Sequence, residues 1–431
     1  MNSSISSFHK LSPSEKILKL TETTGLHSSK FSEITQIATD SISTISENVI
    51  ASFTLPLSIA FNFKINQQDI LVPLVTEESS VVAAASNAAK LVKINGGFTT
   101  EVTRPVLSGM IYLYSENSRE IDQFLQTKRG ELIKLFNENC PTMVKRGGGC
   151  FDAKLERRDD YVAIKFLCDT RSSFGANFMN TTLEAVSIDL DLLLREFTYE
   201  TIFKILSNQV DDRRAIAKAS ISAESLVKAR FAENTDDAKK LMKRLVHAYK
   251  IASIDKERGL THSKGVLNGV IAFTTAIGND TRAMMVANQD TLFTNYWIED
   301  DILNITCSVC CPLGTVGGLI GSHHGVSLAF DLIFCPKVLK DMNISAYDDD
   351  NARELVYGIA AAVGLANNLA ALLALTTKGI QKGHMSLHLH KMMLKMGVDP
   401  LKIDDLAKLY QESYEIVSSK NLKNFLDKIN K

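Results

Sequence analysis

Residues 355–377, LVYGIAAAVGLANNLAALLALTT, make an uncharged run long enough to cross a bilayer, and its reading decides the fold. Against a membrane span stand its alanine content, the adjacent amides Asn367 and Asn368, and the lack of an aromatic belt. Alanine is the strongest helix former and only weakly hydrophobic, so the run predicts a central helix buried on all sides, not a membrane contact. The whole composition agrees. Of 431 residues, 45% are hydrophobic and 23% charged, which excludes a disordered or fibrous chain. At roughly 150 residues per domain, about three folded units are expected. Lys and Arg (48) balance Asp and Glu (49) to a net charge of −1, so no basic excess favours nucleic acid, and phosphate recognition must be local. A small-molecule ligand is the expected partner.

Seven cysteines, an odd number, in a chain large enough to need no staples predict a reduced, cytoplasmic protein. The opening MNSSISSFHKLSPSEK has no charged region followed by an apolar core, so no secretory signal is expected.

Outward from the central run, residues 11–50 read as helical, with Ser12-Pro13 as a start signal. IASFTLPLSIAFNF and ILVPLV, split by the turn-like INQQD, suit strands or a tightly packed loop. SSVVAAASNAAKLV predicts a closely packed helix ended by Gly96-Gly97. Strands and helices alternate from 105 to 209, a compact α+β unit that contains the glycine-rich KRGGGC at 145–150. Residues 213–250, rich in Ala, Lys and Arg, read as helix, and ILNITCSVCCPLG reads as a strand whose alternation accounts for Cys307, Cys310 and Cys311. From Lys378 a separate helical tail is expected. GxGxxG is absent, so a Rossmann dinucleotide site has no support.

Several residues carry chemistry beside a plain alternative. Glu77-Glu78 precede a helix, where acids stabilise the dipole. Lys264, in THSKGVLNG, is either a snorkelling surface residue or a cation set to polarise a carbonyl. Asp280, in AIGNDTRA, is also ordinary turn chemistry. His384 and His388, in GHMSLHLH, share a helix face, but no HExxH or adjacent acid accompanies them, so no metal is expected.

Together these segments resemble hydroxymethylglutaryl-coenzyme A (HMG-CoA) reductase, in particular the soluble bacterial and archaeal class. SENVIASFTLPLSIAFNF, VPLVTEESSVVAAASNAAK, RGGGC, DTRSSFGANFMNTTLEAV, THSKGVLNG, IGNDTRA, LGTVGG and GLANNLAALLALTTKGIQKGHMSLH follow in the family's order from about residue 45 to 390. The resemblance implies reduction of HMG-CoA by two reduced nicotinamides to mevalonate and free coenzyme A. The thioester becomes a hemithioacetal, which collapses to an aldehyde that is reduced to the alcohol. It implies that Lys264 stabilises the oxyanion and that Glu78 protonates the carbonyl oxygen in the aldehyde step. Glu78 must then be neutral, which requires burial and a close acid, Asp280. Asp280 would bridge Lys264 and Glu78, and His384 would protonate the departing thiolate. Ser80, Arg258 and Asn268 would contact the hydroxymethylglutaryl portion, with Arg258 on its carboxylate. Asn208 would lie near the reacting centre.

The implied architecture is α+β and non-Rossmann. It comprises a large, mostly helical substrate domain (1–104 and 210–377), a ferredoxin-like nicotinamide-binding insert (105–209) and a C-terminal flap (378–431) carrying His384. A homodimer with a shared active site is implied, with neither nucleic acid nor membrane as partner. Asp169, Ser172, Gly175 and Asn177 would hold the dinucleotide. Ser172 and Phe174 stand where the family has an acid and a methionine, and Ala51 stands where it has glycine. Cys140-Pro141 replaces the acid that NADH-using members carry upstream of the GGG block, and Lys145-Arg146 follow it. A basic pair without that acid suits the 2′-phosphate of NADPH over NADH. The replaced residues motivate one rival: a non-catalytic acyl-coenzyme A-binding relative that has lost nicotinamide use.

Overall fold

The computed structural model describes residues 11–24, 46–50, 52–78, 80–289, 293–320, 322–377, 389, 392–399, 402–413 and 418–429. Two compact units divide the chain, Met1–Pro56 and Leu57–Lys431. In the first, helix α1 (Pro13–Thr24) starts as expected. Ser12 and Glu15 form a reciprocal capping box: Ser12 N donates to Glu15 Oε2 at 2.7 Å and Glu15 N donates to Ser12 Oγ at 3.3 Å. Most of the helical expectation beyond Thr24, and Ala51, lie outside the described residues.

The second unit begins with β1 (Leu57–Ile65) and β2 (Gln68–Val75), an antiparallel hairpin whose turn residues Asn66 and Gln67 both take positive φ. Helix α2 (Val81–Ile94) follows, then β3 (Thr99–Val102) and β4 (Val106–Tyr114). Next come α3 (Ser118–Thr127), α4 (Arg129–Glu138), α5 (Pro141–Lys145), β5 (Gly149–Arg158), β6 (Tyr161–Asp169), α6 (Ala176–Leu193) and β7 (Glu200–Leu206). The chain continues through β8 (Arg214–Ser222), α7 (Ala223–Lys228), α8 (Thr235–Ile254), α9 (Lys256–Ala276), α10 (Thr281–Ala287), β9 (Thr294–Glu299) and β10 (Ile302–Cys310). Helices α11 (His324–Ile333), α12 (Pro336–Asp341), α13 (Asp350–Thr376), α14 (Ile403–Ser413) and α15 (Ser419–Ile429) complete it. The fold is mixed α+β.

Two antiparallel four-stranded sheets organise two apolar cores. The sheet β3-β8-β10-β9 packs with the hairpin and with α2, α8, α9 and α13. The sheet β5-β6-β4-β7 packs with α3, α4 and α6. Cys310 and Cys311 face opposite ways at the end of β10, Cys310 into the second core and Cys311 into the first. All seven described cysteines are free. A third, small cluster joins Leu389 and Met393 to α14 and α15.

The central run is helical as expected, and 78% of its most apolar window is buried inside the protein. It packs so closely on α9 that a Cβ at Gly364 would stand 2.8 Å from Val266 Cγ1. The helical reading of 213–250 is corrected at its start, where 214–222 form β8. Ala215, Ala217, Ala219 and Ile221 are buried there while Lys218 and Ser220 are exposed, a two-residue period that alanine's helix propensity masks.

Candidate active site

Helices α2, α9 and α13 line a cleft of about 910 Å³. Each contributes one face at helical spacing. From α9 come Arg258, Thr261, Lys264, Gly265 and Asn268. Six alanines line the remaining wall: Ala83, Ala84 and Ala88 of α2, and Ala370, Ala371 and Ala374 of α13. Small residues let the helices approach while leaving a smooth slot between them.

Five of the sequence-predicted residues meet here: Glu78, Ser80, Arg258, Lys264 and Asn268. Glu78 sits on the short link from β2 to α2, where its backbone N donates to Thr76 Oγ1 at 3.1 Å. Lys264 Nζ donates to both Glu78 oxygens, at 2.9 and 3.2 Å. The Lys264 and Glu78 side chains are 60% and 41% exposed, so an open cleft supplies neither the burial nor the second acid that a neutral Glu78 requires. Ser80 initiates α2 at φ 79°, a left-handed conformation that costs a non-glycine residue energy and is concentrated at functional sites.

Asp280 does not join the pair. Its carboxylate caps α10 through Arg282 N and Ala283 N, and binds the Arg282 guanidinium at 3.1 Å. Burial works to raise the Asp280 pKa, but the Arg282 hydrogen bond and the capped N–H groups outweigh it and hold the carboxyl below the usual range. Asn208 is exposed on the turn after β7 and does not line the cleft. His384 and His388 fall outside the described residues.

The other predicted group gathers on the turn between β6 and α6. Asp169 is buried, pairs with Arg104 at 2.8 Å and accepts from Arg171 N at 2.9 Å. Ser172 is buried, and its Oγ donates to Asp348 O at 2.6 Å. An ionised carboxylate in the same place would face a carbonyl oxygen it cannot donate to. Arg146 and Ser172 line a cavity of about 200 Å³ with Thr170, Arg171 and Ser173. Lys145 and Arg146 are exposed and, among the described residues, form no ion pair. Gly175 begins α6 at φ 93° with no side-chain cap, and a Cβ there would meet Thr170 Cγ2 at 2.7 Å. Asn177 is exposed in the first turn of α6. An uncapped 18-residue helix behind a glycine, with Arg146 near it and Arg171 paired with Asp350, offers free N–H groups to an anion.

Sequence reasoning missed what holds this turn. Arg213 is fully buried. It donates to Ser173 O and Phe174 O (3.0 and 3.1 Å) and to Thr170 Oγ1 (2.9 Å) on one side. On the other it donates to Cys311 O, Leu313 O and Tyr357 Oη (2.9, 2.5 and 2.7 Å). Phe174, at the family's methionine position, lies with its ring 5.7 Å from the guanidinium. No motif marks this arginine, because its partners are mostly backbone carbonyls. His262, also missed as a structural residue, is buried on α9 against Thr294 Oγ1 at 2.6 Å. Burial, helped by the Arg258 charge, lowers its pKa to about 4.

Comparison with known proteins identifies the family. The family profile of hydroxymethylglutaryl-coenzyme A reductase matches residues 12–389. The 3-hydroxy-3-methylglutaryl-coenzyme A reductase of Archaeoglobus fulgidus is 32% identical over 425 residues, covering 95% of this chain and 91% of its own. The Streptococcus pneumoniae enzyme superposes with a TM-score of 0.70 at 30% identity, over 99% of this chain and 100% of its own. A class II structure from the same organism, bound to NADPH in open conformations, has the same TM-score and identity over 98% of this chain. The chain belongs to the hydroxymethylglutaryl-coenzyme A reductase family.

Proposed function

We propose that this protein reduces HMG-CoA to mevalonate and free coenzyme A in two hydride transfers, with NADPH as the reductant, and so supplies isoprenoid precursor synthesis. The observation that carries the reading is the Lys264–Glu78 pair, set among Ser80, Arg258 and Asn268 in one cleft. Bound NADPH supplies the hydride. Lys264 sets a positive charge against the oxygen that becomes negative at each reduction. Glu78 then gives its proton to the carbonyl oxygen of the aldehyde. Arg258 holds the terminal carboxylate of the substrate by a charge-assisted hydrogen bond, which fixes the thioester end near Lys264. His384 protonates the coenzyme A thiolate as it leaves. Neutral Glu78 requires closure that removes water from the cleft and brings Asp280 off Arg282 toward the pair.

Residues 105–209 are read as the ferredoxin-like dinucleotide-binding insert. Support comes from the order β4, helices, β5, β6, α6, β7 and the sheet order β5-β6-β4-β7. Residues 1–104 and 210–377 are then read as the substrate domain, and 378–431 as a flap that closes the site. Arg146 and Lys145 take the 2′-phosphate, and Gly175 and Asn177 approach the dinucleotide. The active unit is a cytoplasmic homodimer that shares its site between subunits. In its favour, Asn208, which the family resemblance expects near the reacting centre, stands outside the lining of the cleft that holds Lys264.

Following NADPH and NADH oxidation with HMG-CoA tests the function. Turnover with a preference for NADPH is expected. Tight HMG-CoA binding without oxidation of either nucleotide would instead establish the non-catalytic acyl-coenzyme A-binding relative.

A further inference from the structure

Between Leu355 and Leu373, every residue of α13 is Ala, Val, Leu, Ile, Gly or Tyr except Asn367 and Asn368. Both amides are buried, 5% and 1% exposed. Neighbours on a helix point about 100° apart, so the pair serves two different elements. Asn367 Nδ2 donates to the backbone O of Val81, the first residue of α2 and three residues after Glu78, at 3.2 Å. Asn368 Nδ2 donates to the backbone O of His262 on α9, two residues before Lys264, at 3.0 Å. Asn368 Oδ1 accepts from Tyr296 Oη at 2.7 Å, which fixes which way its amide faces. One turn of α13 thus grips both backbone segments that carry the ion pair.

Apolar contact alone does not provide this. The close approach of α9 and α13 at Gly364 sets their separation, but dispersion and hydrophobic burial are non-directional and tolerate axial sliding. A hydrogen bond has a preferred line and resists it. Glu78 and Lys264 are themselves largely exposed, so little packing restrains their side chains, and their 2.9 Å approach depends on where the backbone presents them.

We propose that Asn367 and Asn368 form a positioning clamp that fixes the register of the Glu78 and Lys264 segments against α13. The clamp rests on the reading that Lys264 and Glu78 carry the reaction. A misplacement of about 1 Å costs up to a hundredfold in rate, so the clamp acts on the chemical step rather than on nucleotide binding.

The test uses steady-state kinetics with HMG-CoA and NADPH on the full chain, with thermal unfolding beside it. Asn368→Leu is expected to lower kcat about ten- to hundredfold at unchanged KM for NADPH. Tyr296→Phe, which removes one hydroxyl and little volume, should lower the same parameter less. If Asn368→Leu does not fold, the kcat of Tyr296→Phe decides between the outcomes. Wild-type kcat in the folded variants, or a loss confined to KM for HMG-CoA, overturns the clamp, because the amides then serve only stability or substrate binding. Lys264→Ala is run in parallel. If it is inactive while Asn368→Leu is unimpaired, the clamp fails and the site reading stands. If it turns over normally, the site reading fails and takes the clamp with it.

Discussion

The cleft that holds Lys264 and the β6–α6 turn are built in opposite ways. The cleft is built largely from side chains on one face of each of three helices, and its charged pair stands open to water. The turn is built from backbone, and its shape is imposed by a fully buried arginine that satisfies carbonyl oxygens from both apolar cores. One region changes its chemistry when a side chain changes. The other owes its shape to backbone carbonyls gathered on one buried guanidinium. Substitutions should therefore separate into rate effects at the cleft and nucleotide-affinity effects at the turn.

The largest effect expected is at Lys264. Lys264→Ala removes the cation from the developing oxyanion and should lower kcat by about a thousandfold or more, with the fold intact, as read from turnover and thermal unfolding. Wild-type rates would break the cleft's side of the comparison. Asp280→Asn comes next and sharpens it. Asparagine caps a helix as well as aspartate does, so stability should hold while kcat falls about a hundredfold. Unchanged kcat would leave Asp280 as a helix cap alone. At the turn, Arg213→Lys keeps the charge but has only three donors for partners now served by five N–H groups. KM for NADPH should rise about tenfold while KM for HMG-CoA stays put; equal changes in both would dissolve the distinction between the regions.

The smallest effect concerns pH. The pKa of His262 falls from 6.5 to about 4 on folding, so the unfolded chain takes up the proton first. Stability is full above pH 6.5 and declines as pH falls toward 4. His262→Gln, which keeps a partner for Thr294 and does not titrate, should flatten that decline in denaturant titrations across the window.

The contrast also explains what is legible in the sequence. Glu78, Ser80, Arg258, Lys264 and Asn268 can be found because they lie in short contiguous motifs, TEESS and the DKERGLTHSKGVLNG block, that resemble those of a known family. Arg213 cannot, because its six partners lie 39 to 144 residues away and most are carbonyls that any residue would supply. Strand β8 reads as helix for a related reason. Its alanines pack under the alanine-rich α13, where only small residues fit, and composition there reflects tertiary contact rather than propensity. The bridging role expected of Asp280 rests on motif alone, and local geometry gives that carboxylate to α10 and Arg282 instead.

The most direct test of the cleft as a reductase site measures NADPH oxidation and free thiol release together in one reaction with HMG-CoA. Two NADPH oxidised per thiol released is the expected ratio, since both reductions occur before mevalonate leaves. One NADPH per thiol, or no oxidation with HMG-CoA bound at saturation, would contradict it.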